Sequence, residues 1–164
     1  IAHAFLEQHE PAIANYTEAI RLEPGNPWLY YYRGLIYRRD REYDRAIDDF
    51  TQALGRLKPS ESKTRVLNSR GFSHFNLGDH IQAEADYTKA ISLDSRDTQS
   101  HMNRAYLYRL VNKEEEAVGD YDEVISQDPR NGEAFMGRGM SYHSLGNYRR
   151  AERDIQMSRY LRPY

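Results

Sequence analysis

One stretch of this chain returns. Residues Ala12 to Pro24 read AIANYTEAIRLEP, and residues Ala83 to Ser95 read AEADYTKAISLDS. Looser copies run from Ala46 to Leu57, from Ala117 to Pro129 and from Ala151 to Pro163. The alanines that open the five copies are spaced by 34, 37, 34 and 34 residues. A fixed period in the thirties means that each period is one supersecondary unit, which buries its apolar face only against its neighbours. The chain is thereby restricted to a stacked array.

Each period holds two amphipathic runs, as in TQSHMNRAYLYRLV followed by EEEAVGDYDEVISQ. Their apolar residues fall three and four apart, the spacing of a buried helical face, and β-branched alternation is lacking. The expected class is all-α. Asn26, with Pro27 behind it, and Asn131 read as N-caps of the first helix of a pair. Gly78 and Gly146 read as the left-handed residues between paired helices. The longer spacing puts three extra residues between Ala53 and Gly71, at Gly55, Pro59 and the polar run Ser60 to Lys63. A hydrophilic loop insertion costs little stability, so it is expected to be tolerated rather than functional.

Composition narrows the function classes. With 14 Tyr against 5 Phe and one Trp, the core is built from Ala, Leu, Ile and Tyr. A net charge of −2 provides no global attraction to nucleic acid or an anionic membrane. No apolar run approaches the ~18 residues that span a bilayer, so no membrane association is expected. The absence of cysteine excludes disulfides and thiolate metal sites and is compatible with a reducing compartment. With no visible leader, a cytoplasmic location is the expectation. The six histidines include no HExxH, and His74 and His80 do not share a helix face. Gly137-Arg138-Gly139 begins a GxG, but no strand precedes it and Tyr142 stands where a third glycine would be needed. The carboxylates are spread over helix faces. No enzymatic activity, cofactor or metal site is expected.

These residues resemble a family, the tetratricopeptide repeat. Complete repeats are counted from Pro27, Thr64, Thr98 and Gly132, giving expected boundaries 27–63, 64–97, 98–131 and 132–164 after a partial repeat, 1–26. Position 8 of each is small (Gly34, Gly71, Ala105, Gly139) and position 20 is always Ala. Position 24 is Phe50, Tyr87, Tyr121 and Ile155, and position 11 is Tyr37, His74, Tyr108 and Tyr142. The expected reason is close approach, a small residue on helix A facing an Ala on helix B. The resemblance implies a right-handed α-solenoid of stacked antiparallel helix pairs. It also implies that the A helices line a concave groove for a partner's helix or peptide.

Charge recurs with the same period. Position 7 is Arg33, Arg70, Arg104 and Arg138, and position 23 is Asp49, Asp86, Asp120 and Asp154. An Arg–Asp ladder is expected, within repeats or between neighbours. Position 28 is Ile20, Leu54, Ile91 and Ile125, then Arg159, with Ser158 beside it. That polar change reads as an end cap, whereas Ile1 to Glu7 reads as the end of a helix whose repeat begins further upstream.

The resemblance implies that helix A positions 2, 5, 9, 12 and 13 face the groove, and residues at positions 5, 9, 12 and 13, with one at position 6, are nominated for partner binding. These are Tyr31, Leu35, Arg38, Arg39, Asn68, Phe72, Phe75, Met102, Asn103, Tyr106, Arg109, Met136, Met140 and His143. Apolar and Met-rich surface of this kind marks interaction sites. Relatives that clamp a chaperone's terminal carboxylate need Lys, Asn and Arg at set positions. Only Asn103 matches in one register, and Glu133 stands where a cation should, so carboxylate capture is disfavoured. The reading is a non-enzymatic adaptor that binds a protein or peptide partner. Its competitors are self-association into an oligomer and an RNA-binding helical repeat. The second rests on Arg38, Arg39, Arg41, Arg45, Arg149, Arg150 and Arg153, but lacks a base-reading pair in every repeat.

Overall fold

The computed structural model describes residues 9–58 and 63–161, and every regular element among them is an α-helix. In chain order these are α1 (His9–Leu22), α2 (Pro27–Arg39), α3 (Tyr43–Arg56), α4 (Thr64–Asn76) and α5 (His80–Leu93). Then follow α6 (Thr98–Leu110), α7 (Glu114–Gln127), α8 (Gly132–Ser144) and α9 (Tyr148–Leu161). The residues expected to form the end of an upstream helix, Ile1 to Glu7, and most of the expected insertion loop lie outside the described residues.

The chain divides into two compact units, 1–93 and 94–164. In the first, α2 pairs with α3 and α4 with α5, while α3 packs on α4, α1 on α2, and α2 touches α4 directly. In the second, α6 pairs with α7 and α8 with α9, with α7 against α8 and α6 touching α8. Each unit is thus a stack of helical hairpins.

The local punctuation explains where helices start and turn. The Asn26 side chain accepts a hydrogen bond from the Trp28 amide at 3.1 Å, and Asn131 from Ala134 at 2.9 Å. Asp97 does the same for α6 through the Ser100 amide at 2.9 Å. Gly78 and Gly146 take φ of +81° and +76°. The equivalent turns of the other hairpins put Arg41 (φ 63°) and Asn112 (φ 59°) in the same left-handed region. A side chain there costs about 1–2 kcal/mol, least for Asn.

Packing corrects one expectation. The small residue at position 8 faces the bulky side chain of position 24 more than an alanine. A Cβ on Gly34 would lie 2.9 Å from the Phe50 ring, and one on Gly71 2.8 Å from the Tyr87 ring. At Gly139 the neighbours are Ile155 at 3.1 Å and the Ala151 carbonyl at 3.2 Å. The ring occupies the space that a missing Cβ leaves. Phe50 and Tyr87 are consequently among the largest fully buried side chains. Burial pushes the hydroxyl pKa of Tyr87 and Tyr121 upward, because the phenolate would lose its hydration.

The Arg–Asp ladder forms in all four complete repeats. Arg33 donates to both carboxylate oxygens of Asp49 at 2.8 and 2.8 Å, and Arg70 to Asp86 at 2.9 and 2.7 Å. Arg104 holds Asp120 at 2.8 and 2.8 Å, and Arg138 holds Asp154 at 2.7 and 2.9 Å. The remaining Nη1 of Arg33 reaches Thr17 on α1 at 2.9 Å, and that of Arg70 reaches Thr51 on α3 at 3.0 Å. Arg138 likewise reaches Asp122 on α7 at 2.6 Å. In these three repeats one guanidinium ties its own hairpin together and ties it to the helix before it, so the ladder runs both within and between repeats. The hydrogen bonds to Asp49 and Asp154 raise the pKa of Arg33 and Arg138 further. Asp49, Asp86, Asp120 and Asp154 are all buried, at 3–5% exposure, and the planar bidentate fork is the geometry that offsets such desolvation.

Candidate partner-binding faces

Exposed large apolar side chains occur on both helix layers, Ile81, Tyr148 and Tyr160 of the B helices among them, and the residues nominated for the groove lie on the A helices. In the first compact unit these helices are α2 and α4. Leu35, Arg38 and Arg39 share one face of α2, and Arg65, Asn68, Phe72 and Phe75 share one face of α4, by helical spacing. The two faces meet where the Arg38 guanidinium lies 5.4 Å from the centre of the Phe72 ring. Phe72 is 40% exposed, Leu35 is half-buried against the core, and Arg39 is exposed. Phe75 is half-buried, its ring 5.7 Å from that of His80, and Asn68 is half-buried.

Tyr31 departs from the expected lining. It is 5% exposed and packs against Phe50 (5.9 Å between ring centres) and edge-on to Trp28 and Tyr32. The reason is a neighbour the repeat pattern does not specify: Trp28 precedes it on the same helix and covers it. Tyr31 therefore belongs to the core.

The electrostatics of this face follow from its helices. Neither PWLYYYRGLIYRR nor TRVLNSRGFSHFN contains a carboxylate. Arg33 and Arg70 are neutralised by Asp49 and Asp86. Arg38, Arg39 and Arg65 remain, and among the described residues none of the three has a carboxylate partner. Arg65 is not among the residues that the sequence nominates. The available signal was its position 2, a groove position on the family's pattern.

The second unit presents a different face on α6 and α8. Tyr106 is 56% exposed and Met140 45% exposed. Met102 and Met136 are half-buried, Met102 against the core that contains Ala105 and Tyr121. Asn103 is half-buried and accepts a hydrogen bond from Gln99 at 2.9 Å. Arg109 is half-buried, its Nε 4.0 Å from Glu114. It serves the hairpin more than the open face. His143 is exposed and meets Tyr148 edge-on at 5.3 Å. Glu133 is exposed on α8, where the first unit has Arg65 on α4.

Sequence reasoning overlooked His101. It is 7% exposed, its Nδ1 is 2.8 Å from Asp120 and its Nε2 is 3.2 Å from the Ser95 carbonyl. Asp120 thus receives both Arg104 and His101. Position 4 of the other repeats is not histidine, so periodicity carried no signal. Among the described residues no cluster of His, Asp and Glu has the arrangement of a metal site, and no helix is long and apolar enough to cross a membrane.

Stacked antiparallel hairpins of fixed length, with a small residue of helix A against a bulky side chain of helix B, define a helical-repeat protein. Family models for the tetratricopeptide repeat match residues 27–55, 64–97 and 112–163, and a TPR repeat model matches 6–40. The chain belongs to the tetratricopeptide repeat family. It is 33% identical over 90 residues to heat shock protein STI1 of Saccharomyces cerevisiae, covering 54% of this chain and 15% of that protein. It is 30% identical over 100 residues to small glutamine-rich tetratricopeptide repeat-containing protein 2 of the same yeast, covering 61% of this chain and 28% of that protein. The match is therefore to a minor part of either relative. Among solved structures, MamA superposes with a TM-score of 0.87 at 16% identity, covering 96% of this chain and 91% of that one. YrrB, described as a TPR protein with an unusual peptide-binding site, superposes with a TM-score of 0.79 at 23% identity, covering 98% and 81%. These likenesses are of fold.

Proposed function

We propose that the chain is a non-enzymatic protein-interaction module whose A-helix faces hold a helix or extended peptide of a partner. The observation that carries this reading is the exposure of large apolar side chains at one recurring position. Phe72 is 40%, Tyr106 56% and Met140 45% exposed, all at position 9 of helix A. Packing does not need them there, and exposed aromatic and methionine side chains are anchors for a docked helix or strand. The peptide-binding site of YrrB, a protein of the same fold, is consistent with this use. Capture of a terminal carboxylate in the manner of a clamp is not part of the proposal, because Glu133 and Gly137 stand where cations would be needed.

The test is affinity capture with the wild-type chain and with the Phe72→Ala, Tyr106→Ala double variant, followed by titration of the captured protein. Both side chains are substantially exposed, so the variant is expected to keep its helix content and melting temperature. Partner affinity should fall at least about ten-fold, since each truncated anchor costs of order 1–2 kcal/mol. An unchanged affinity in the folded double variant would remove the A-helix faces from the function.

A further inference from the structure

We infer that the α2–α4 face is built for an acidic peptide segment of its protein partner, in which carboxylate side chains flank apolar anchors. This rests on the interaction reading above and adds the chemistry of the ligand. Three features converge on one surface. First, Arg38, Arg39 and Arg65 lie on the faces of two touching helices that contain no Asp or Glu at all. The helix-borne carboxylates of this unit lie on the B helices, at Glu10 and Glu18 on α1, Asp44, Asp48 and Asp49 on α3 and Glu84 and Asp86 on α5, while Glu23, Asp40, Glu42 and Asp79 stand in the turns. The B helices carry both signs, including Arg21, Arg45, Arg56 and Lys89, whereas α2 and α4 carry cations alone.

Second, these cations stand apart from the ladder. The ladder arginines beside them are neutralised, but Arg38, Arg39 and Arg65 have no ion pair among the described residues. Third, the Arg38 guanidinium carbon lies 5.4 Å from the centre of the Phe72 ring. Restrained by the ring contact, Arg38 loses less rotamer freedom on binding a carboxylate. The apolar floor beside it, Phe72 and Leu35, accepts an aliphatic or aromatic side chain. A short acidic-apolar segment satisfies both halves of this surface. A long polyanion fits it less well, because the exposed Asp44 and Asp48 lie on the adjoining helix and the net charge is −2.

The experiment measures fluorescence anisotropy with the whole chain and synthetic peptides that share one Leu/Phe frame. The intervening positions are all Glu, all Gln or all Lys, and a labelled oligo(U) is run alongside. The Glu peptide should bind at least about ten-fold more tightly than the Gln peptide, with an advantage that shrinks as salt rises. R38E/R65E should abolish that advantage and gain affinity for the Lys peptide. These arginines hold no ion pair among the described residues, so the variant should keep its circular dichroism and melting temperature. If it does not, R39E/R65E serves in its place. Equal binding of the Glu and Gln peptides, unaffected by R38E/R65E but weakened by Phe72→Ala, overturns the charge inference and leaves the groove standing. Peptide binding indifferent to both Phe72→Ala and R38E/R65E, or no peptide binding at all, overturns both. Tighter, R38E/R65E-sensitive binding of oligo(U) replaces the acidic peptide with nucleic acid.

Discussion

The two compact units share a frame and differ in what they show to solvent. Both join each hairpin by a buried bidentate Arg–Asp pair, and both turn from helix A to helix B through a left-handed residue. On the A-helix faces the likeness ends. The first unit offers Arg38, Arg39, Arg65 and Phe72, a cationic and aromatic surface. The second offers Tyr106, Met102, Met136 and Met140 with Glu133, which is apolar with a single negative charge. Each repeat keeps what stacking requires and leaves the remaining face open to differ. The part that repeats is therefore structural, and the part that differs is where recognition is proposed.

The two units should not yield equally when the frame is damaged. Asp120→Ala should have the largest effect, about 3–5 kcal/mol, because it strands Arg104 and leaves His101 without its carboxylate. Asp86→Ala, which strands only Arg70, should cost less. Urea unfolding of the two variants measures the difference. Equal losses would mean that His101 adds nothing to the second unit. A Cβ on Gly137 would lie 2.3 Å from the Tyr121 ring, so Gly137→Ala should cost about 1–3 kcal/mol. Ser69→Ala, at the same position of the first unit, should cost less than about 1 kcal/mol, since that hydroxyl only bonds back to the Arg65 carbonyl at 3.0 Å. Matching melting temperatures for these two variants would show that Tyr121 moves aside freely. The smallest effect is a gain. Arg41→Gly should stabilise by about 1 kcal/mol because φ is +63° there, and Asn112→Gly by less because Asn tolerates that region. Thermal melts decide the order.

Much of this was legible from residue spacing. The period, the hairpins, the Asn26 and Asn131 caps and the pairing of Arg33 with Asp49 depend on separations along the chain, and helical geometry converts separations into directions. For the candidate face, position 9 pointed to Leu35, Phe72, Tyr106 and Met140, of which the last three are exposed and Leu35 is half-buried against the core. Direction does not set depth, however. Tyr31 and Met136 share position 5, yet Tyr31 sinks to 5% exposure under Trp28 whereas Met136 stays half-buried. His101 was missed because a contact made once leaves no periodic trace.

A stack of helical hairpins, its family and the Arg–Asp frame follow from the order of residues alone, because those features repeat and repetition is visible without coordinates. Three others needed the folded chain. A ring fills the space beside Gly34 and Gly71, Tyr31 is core, and Arg38 lies over Phe72 on helices free of carboxylates. Each of these depends on side-chain volume and charge arriving from a different helix or turn. A separation along one chain does not encode the distance across the gap between two helices.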